Sequence, residues 1–376
     1  MQSIMTVSSV LVVGGGITGC VTAIALAQRG VEVTLVERSP QWHGVGHGIT
    51  VQGNALKEFR EIGALDPILE KGHGFDQVRM READGEEIVT ITVARTGGSD
   101  LPATMGALRS DIQDVLVGMI RDLGIEVRLG TELVSFSSVD RHVEAELSSG
   151  VVENYDVIIA ADGIKSTTRK LLGIHEEKKP TGMGIWRSVV PRTRDMSISG
   201  LYYHGPEYKV GFTPISDDLC YAYVLTKPER PDNGLTDAQE MRRLLEGYGG
   251  DVPFIRDQIT EETFLNFQPI EWLYVEGPWH RGRVIAIGDA VHACPPLIAQ
   301  GAAQCSEDAV LLADYLTREG DIEALLTEFE ARRKPRVKLV VDASLQLVEW
   351  ELHPDAPGAD PGGLFASSLQ SLAEPA

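Results

Sequence analysis

The residues best suited to chemistry lie near the start of the chain. Gly14, Gly16 and Gly19 stand at G-x-G-x-x-G spacing, and Glu37 and Arg38 follow a second apolar run. This spacing suits a phosphate-bearing ligand. The first glycine permits a tight turn, the second lets backbone approach a pyrophosphate, and the third lets a helix pack close to a strand. Ile17 and Thr18 open that helix, where unpaired N–H groups and the positive dipole end meet phosphates. Glu37 offers its carboxylate to a ribose diol. Val10 to Val13 and Val31 to Val36 read as buried parallel strands flanking the helix. The stretch predicts a dinucleotide site and leaves open NAD(P) or FAD.

Two later segments repeat the pattern of a buried strand delivering its C-terminal end to a crevice. Asp156 to Ala161 stops at Asp162-Gly163, and Val284 to Ile287 stops at Gly288-Asp289. Pro295-Pro296 and Gln300-Gly301 follow the second of these, leading into a helix to about Arg318. Arg109 precedes Ser110 to Gln113, a capping-box pattern whose helix start would place that arginine by a cofactor. The loop Trp42 to Ile49, with His47 and Gly48, is rich in glycine and histidine, as backbone lying close to a ligand requires.

The elements that must position these residues divide the chain. Residues 1–179 read as the first part of a Rossmann-like α/β unit with a parallel sheet. Between 180 and 279 helical periodicity fades and aromatics gather, among them Trp186, Tyr203, Tyr221 and Tyr223, which predicts a mostly antiparallel sheet. Residues 280–352 complete the first unit and add C-terminal helices, the longer broken or kinked at Pro335. Residues 353–376, rich in Pro, Gly, Ala and Ser, read as a loose tail.

At 376 residues the chain holds two domains with cores of their own. Lys+Arg 34 against Asp+Glu 55 gives a net charge of −21, a field that opposes nucleic acid and anionic lipid. Four cysteines without a C-x-x-C, and no histidine cluster at zinc spacing, argue against a disulfide framework or a metal site. The apolar run from Val10 to Ala27 is interrupted by glycines and lacks a basic leader, so a cytoplasmic protein is expected.

Three segments together resemble the class A (single-component) flavoprotein monooxygenases of the para-hydroxybenzoate and salicylate hydroxylase type. They are Gly14 to Gly19 with Glu37, Asp162 to Arg169, and Gly288 to Pro296 continuing through Gln300-Gly301 to Glu307-Asp308-Ala309. The resemblance implies FAD as cofactor and NAD(P)H as a transient co-substrate, with no second nicotinamide motif needed. It implies that Asp289 bonds the ribityl chain and that Pro296, Gln300 and Gly301 border the flavin. Arg109 would contact the cofactor, Val134 would present backbone to the adenine, and Asp162 and Gly163 would serve FAD and NAD(P)H. One departure stands out: Ala299 occupies the first position of the usual Gly-Gln-Gly.

The implied reaction is hydroxylation of a small aromatic or heteroaromatic ring with O₂ through a C4a-hydroperoxyflavin, in a monomer or homodimer. Epoxidation, N-hydroxylation and decarboxylative hydroxylation are alternatives on the same cofactor, and an NAD-dependent dehydrogenase is the alternative from the opening motif alone. His47, Tyr203, His204, Tyr221 and Tyr223 are candidate bases near a ring hydroxyl. His47 has two placements open, against the flavin or the substrate. Trp186, Arg187, Tyr203, Tyr221 and Tyr223 are candidate substrate contacts, and Arg187 either binds a carboxylate or pairs within the fold.

Overall fold

The computed structural model describes residues 7–42 and 46–376. The His43–Val45 portion of the expected glycine-rich loop lies outside the described residues. The six-stranded sheet runs in the order His280–Arg281, Val284–Ala286, Val157–Ala160, Ser9–Val13, Glu32–Glu37, Glu126–Leu129. All neighbours are parallel except the short first pair. Ser9–Val13 is central and Val10, Leu11 and Val12 are fully buried, because the opening helix and the three-stranded sheet of Leu133–Val139, His142–Leu147 and Val152–Tyr155 pack against this sheet and leave no position for a polar residue. The opening helix, Ile17–Gln28, packs between this sheet, the helix Arg109–Asp122 and the helix Gly301–Leu316.

A seven-stranded sheet forms the second layer, ordered Leu265–Trp272, Lys179–Pro191, Leu219–Thr226, Lys209–Pro214, Ser199–Tyr203, Gln77–Glu82, Glu87–Thr92. It is antiparallel except where Ser199–Tyr203 pairs with Gln77–Glu82. The boundary expected at 179/180 therefore needs correction: strands 77–92 are added to the second sheet from within the first segment. Backbone pairing can recruit a distant hairpin without any local mark in the sequence. One face of this sheet carries Trp186, Tyr202, Phe212 and Val224 against helices Asp237–Leu244 and Val252–Gln258. The other face looks toward the first layer.

Three local expectations are also corrected. Residues 353–376 are not a loose tail: Pro361–Leu372 is a helix capped by Asp360, whose carboxylate accepts from Gly363 N–H at 2.8 Å. Phe365, Leu369 and Leu372 fall at helical spacing, and the two leucines are buried with the long helix Ile322–Leu352. That long helix runs unbroken through Pro335. The capping box at Ser110 does not form: Leu108 is the cap residue of Arg109–Asp122. Gln113 is instead directed inward, donating to the Gly15 carbonyl at 2.9 Å, so it holds the glycine turn rather than its own helix end.

Candidate active site

Strand Ser9–Val13 ends in the glycine turn. Gly14 has φ +108°, and a Cβ there would lie 2.4 Å from the Ala161 carbonyl oxygen. A Cβ on Gly19 would lie 1.8 Å from the Gly14 oxygen, so helix and strand approach at backbone contact. Gly16 differs: an added Cβ meets nothing within 4 Å. It caps the opening helix with no side-chain bond, leaving the first-turn N–H groups directed at open space. Glu37 accepts from Gly15 N–H at 2.7 Å and Ser39 N–H at 2.8 Å. The acid expected at a ribose thus also fixes the turn. Arg38 sits beside it, outside the cavity.

A second helix start faces the same space. Gly301–Leu316 begins after Gln300 with no side-chain cap, and Gly301 and Ala302 line the cavity. Its partial positive end and free N–H groups suit an anion. Asp289 lines the cavity nearby, as do Pro296 and Gly163. Asp162 Oδ2 accepts from Thr167 N–H, Thr168 N–H and Thr168 Oγ1, while Oδ1 is buried without a partner. The open cradle at Gly16, two uncapped helix starts and the Asp289 carboxylate on the cavity wall fit a group that is anionic at one end and hydroxyl-bearing along its length. FAD has both features.

Beneath the second helix start lies a buried polar network that sequence reasoning missed. Asp308 accepts from Gly288 N–H at 2.9 Å, from His292 Nε2 at 2.5 Å and from Arg333 Nε at 2.6 Å. Burial alone would push the Asp308 carboxyl up, but His292 and Arg333 draw it down to about 2. Glu307 accepts from Arg333, Arg336 and Asn54. Gln300, expected to border the flavin, belongs to this network instead. Its amide exchanges hydrogen bonds with Asn54 at 3.1 and 3.2 Å and accepts from Gln304 at 3.0 Å. Ala299, immediately before Gln300, adopts φ +53°, the left-handed region that the usual glycine would enter without cost.

These features border a cavity of about 380 Å³ between the two sheets. It collects Gly16, Ile17, Thr18, His47, Gly48, Arg109, Gly163, Asp289, Pro296 and Gly301 from the first layer. From the second it takes Arg187, Tyr203, Tyr221 and Tyr223. Trp186 is corrected: it is 1 % exposed and packs on Phe267 on the opposite face, because alternation along Lys179–Pro191 turns 185 and 187 one way and 186 the other. His204 also lies outside, bonded to Glu82. Val134 is half-exposed on strand Leu133–Val139, away from the cavity. Lys209, Glu351, Leu347 and Phe365 line the cavity unforeseen, for nothing in their local sequence marks them.

His47 is buried, and burial lowers its pKa, with Arg187 and Arg109 adding to the shift against a bond to Gly48. Its Nδ1 stands 3.0 Å from the Gly48 carbonyl. A carbonyl only accepts, so Nδ1 carries the proton and Nε2 keeps a free lone pair. Arg187 Nε donates to Tyr221 Oη at 3.1 Å. Burial raises the pKa of Tyr203, Tyr221 and Tyr223, so these phenols hold their protons near neutrality and serve as donors rather than bases.

A parallel dinucleotide layer, an antiparallel sheet and a cavity between them define the class of single-component flavoprotein hydroxylases. The chain matches the FAD binding domain family over residues 7–344 and belongs to it, an FAD-dependent monooxygenase of the aromatic hydroxylase type. It is 31% identical over 356 residues to YetM of Bacillus subtilis strain 168, named as an FAD-dependent monooxygenase, covering 93% of this chain and 95% of the relative. It is 29% identical over 353 residues to a 2-heptyl-3-hydroxy-4(1H)-quinolone synthase of Pseudomonas aeruginosa, covering 91% and 90%. Among solved structures, 2-methyl-3-hydroxypyridine-5-carboxylic acid oxygenase superposes with TM-score 0.80 at 24% identity, covering 98% and 96%. Klebsiella pneumoniae HpxO, solved with FAD and uric acid, gives TM-score 0.81 at 24%, covering 97% and 92%. No helix among the described residues is long and apolar enough to cross a membrane.

Proposed function

We propose that this flavoenzyme consumes NAD(P)H and O₂ to hydroxylate an aromatic or heteroaromatic ring: ring–H, O₂, NAD(P)H and a proton give ring–OH, water and NAD(P)⁺. The supporting observation is that His47, with a free Nε2, and the Arg187–Tyr221 pair share one cavity with the residues suited to FAD. FAD supplies the electron store and the reaction with O₂. The chain's own groups would hold it: Gly16 to Thr18 at the pyrophosphate, Asp289 at the ribityl hydroxyls, and Pro296, Ala299 and Gly301 beside the ring.

His47 Nε2 accepts the proton of a ring hydroxyl or ring N–H, which makes the ring electron-rich toward an electrophilic oxygen. Protonated Tyr221, held by Arg187, donates to a ring substituent and fixes its orientation. The apolar side chains around them exclude water. A relative named for a heptyl-bearing quinolone is in keeping with a cavity that continues past the ring site into apolar walls.

The test is oxidation of NADH and NADPH by the FAD-loaded protein with phenols, hydroxypyridines and quinolones, with product mass recorded. Stimulated oxidation with a mass gain of one oxygen is expected. If no ring compound stimulates oxidation or gains oxygen, the reading fails.

A further inference from the structure

The cavity does not end at the ring site. Tyr221, Tyr223 and Leu225 line it in turn along strand Leu219–Thr226. Tyr221 marks the flavin end: a Cβ on Gly48 would lie 2.2 Å from its Cβ. Lys209 pairs in register with Leu225, four residues farther along, which is about 13 Å at strand spacing. There the walls become apolar, with Ile185, Leu347, Met80 and Phe365, except for one charged pair. Lys209 bonds Glu351, and each side chain is 7% exposed. The ammonium also lies 5.4 Å from the centre of the Tyr203 ring.

An ion pair in an apolar wall adds little to stability that a pair of apolar residues would not match. It does leave bonding capacity in the cavity. Among the described residues, Lys209 donates only to Glu351, and the second Glu351 oxygen accepts from none. Because the pair is neutral as a unit, it offers no net attraction to an ion. What it complements is a neutral group with a donor and an acceptor side by side.

We propose that Lys209 and Glu351 form a distal specificity site that binds a neutral hydrogen-bonding group, of the carboxamide type, at the far end of a substrate whose ring lies at Tyr221. This rests on the aromatic-hydroxylase reading above. The ammonium donates to the carbonyl of that group and the free carboxylate oxygen accepts its N–H. Phe365, from the C-terminal helix, and Leu347 enclose the linker.

The test titrates FAD-loaded enzyme with quinolones carrying a pentyl chain ending in methyl, carboxamide or carboxylate, following the visible flavin spectrum. The parent quinolone without a chain reads the ring site alone. Wild type is expected to bind the carboxamide at least tenfold more tightly than the other two. The apolar double variant Lys209→Met/Glu351→Leu abolishes that preference in favour of methyl. Glu351→Gln leaves the ammonium uncompensated and moves the preference to carboxylate by about tenfold, a readout that survives if the double variant fails to fold. Equal affinity for the three chains in wild type, a methyl or carboxylate preference there, or an unchanged preference in the folded variants overturns the proposal. Binding of the parent ring without chain discrimination removes the distal site alone. If neither parent nor chain-bearing quinolone perturbs the flavin, both the distal site and the ring-site reading fall.

Discussion

Replacing Arg333 by Met removes the centre of the buried network under the helix Gly301–Leu316. Arg333 is fully buried and donates to Asp308 at 2.6 Å, Glu307 at 2.7 Å, and Gln304 through its carbonyl at 3.2 Å and Oε1 at 2.8 Å. Breaking a buried pair by deleting one partner costs about 3–5 kcal/mol. Here the low end applies, because Glu307 retains Arg336 and Asn54, and Asp308 retains His292 and Gly288 N–H. A loss of about 3 kcal/mol, at about 2 °C per kcal/mol for a large domain, lowers Tm by about 6 °C.

The pH dependence gives a second reading of the same variant. Asp308 has a depressed pKa of about 2 in the wild type, so its stabilisation is present above the unfolded value of about 3.9 and lost as pH falls through about 2. Without Arg333 the carboxyl rises and Arg333's share of that stabilisation is missing already at neutral pH, while the share from His292 remains. The Tm gap between variant and wild type should therefore be full at neutral pH and shrink below about pH 4. Circular-dichroism melts across this range measure both. A loss of under about 1 °C at neutral pH, or a gap that widens on acidification, refutes the reasoning.

Three other outcomes are expected. Gly16→Val places a side chain where an added Cβ meets no protein atom, so the melting of flavin-free protein should be unchanged while FAD affinity falls at least tenfold by titration; retained affinity would remove the cradle from the cofactor site. His47→Gln should lower kcat by about a hundredfold. In wild type the acid limb of kcat/KM should fall below the ordinary histidine value of about 6.5, since burial lowers this pKa, and the limb should vanish in the variant; a limb unchanged by the substitution assigns it to another group. Ala299→Gly relieves a left-handed alanine and should raise Tm by up to about 2 °C, corresponding to about 1 kcal/mol less the added chain entropy; a fall in Tm would show that φ +53° carries no strain.

Local sequence determined the dinucleotide half of the molecule. The Gly14 to Glu37 unit is contiguous, and each of its residues acts on neighbours within one strand–helix–strand turn, so spacing alone carries the geometry. The strand ends at Asp162 and Asp289 were legible for the same reason: an apolar run stopping at Gly-Asp or Asp-Gly marks the end of a buried strand. Composition also distinguished a second, aromatic-rich sheet from the first.

Tertiary structure decided which residues meet. Trp186 and Arg187 are adjacent in sequence and face opposite sides of the sheet, a matter of register rather than residue type. Gln113 and Gln300 each look like helix-end or flavin residues, yet their amides satisfy buried backbone and side-chain groups reached only after packing. The 77–92 hairpin and the C-terminal helix join the cavity from opposite ends of the chain, and Lys209 meets Glu351 across 142 residues. Such contacts depend on long-range burial of apolar faces, which leaves no local signal. The glycine cradle was therefore readable from residue order, whereas the aromatic end of the cavity exists only once the two layers close on each other.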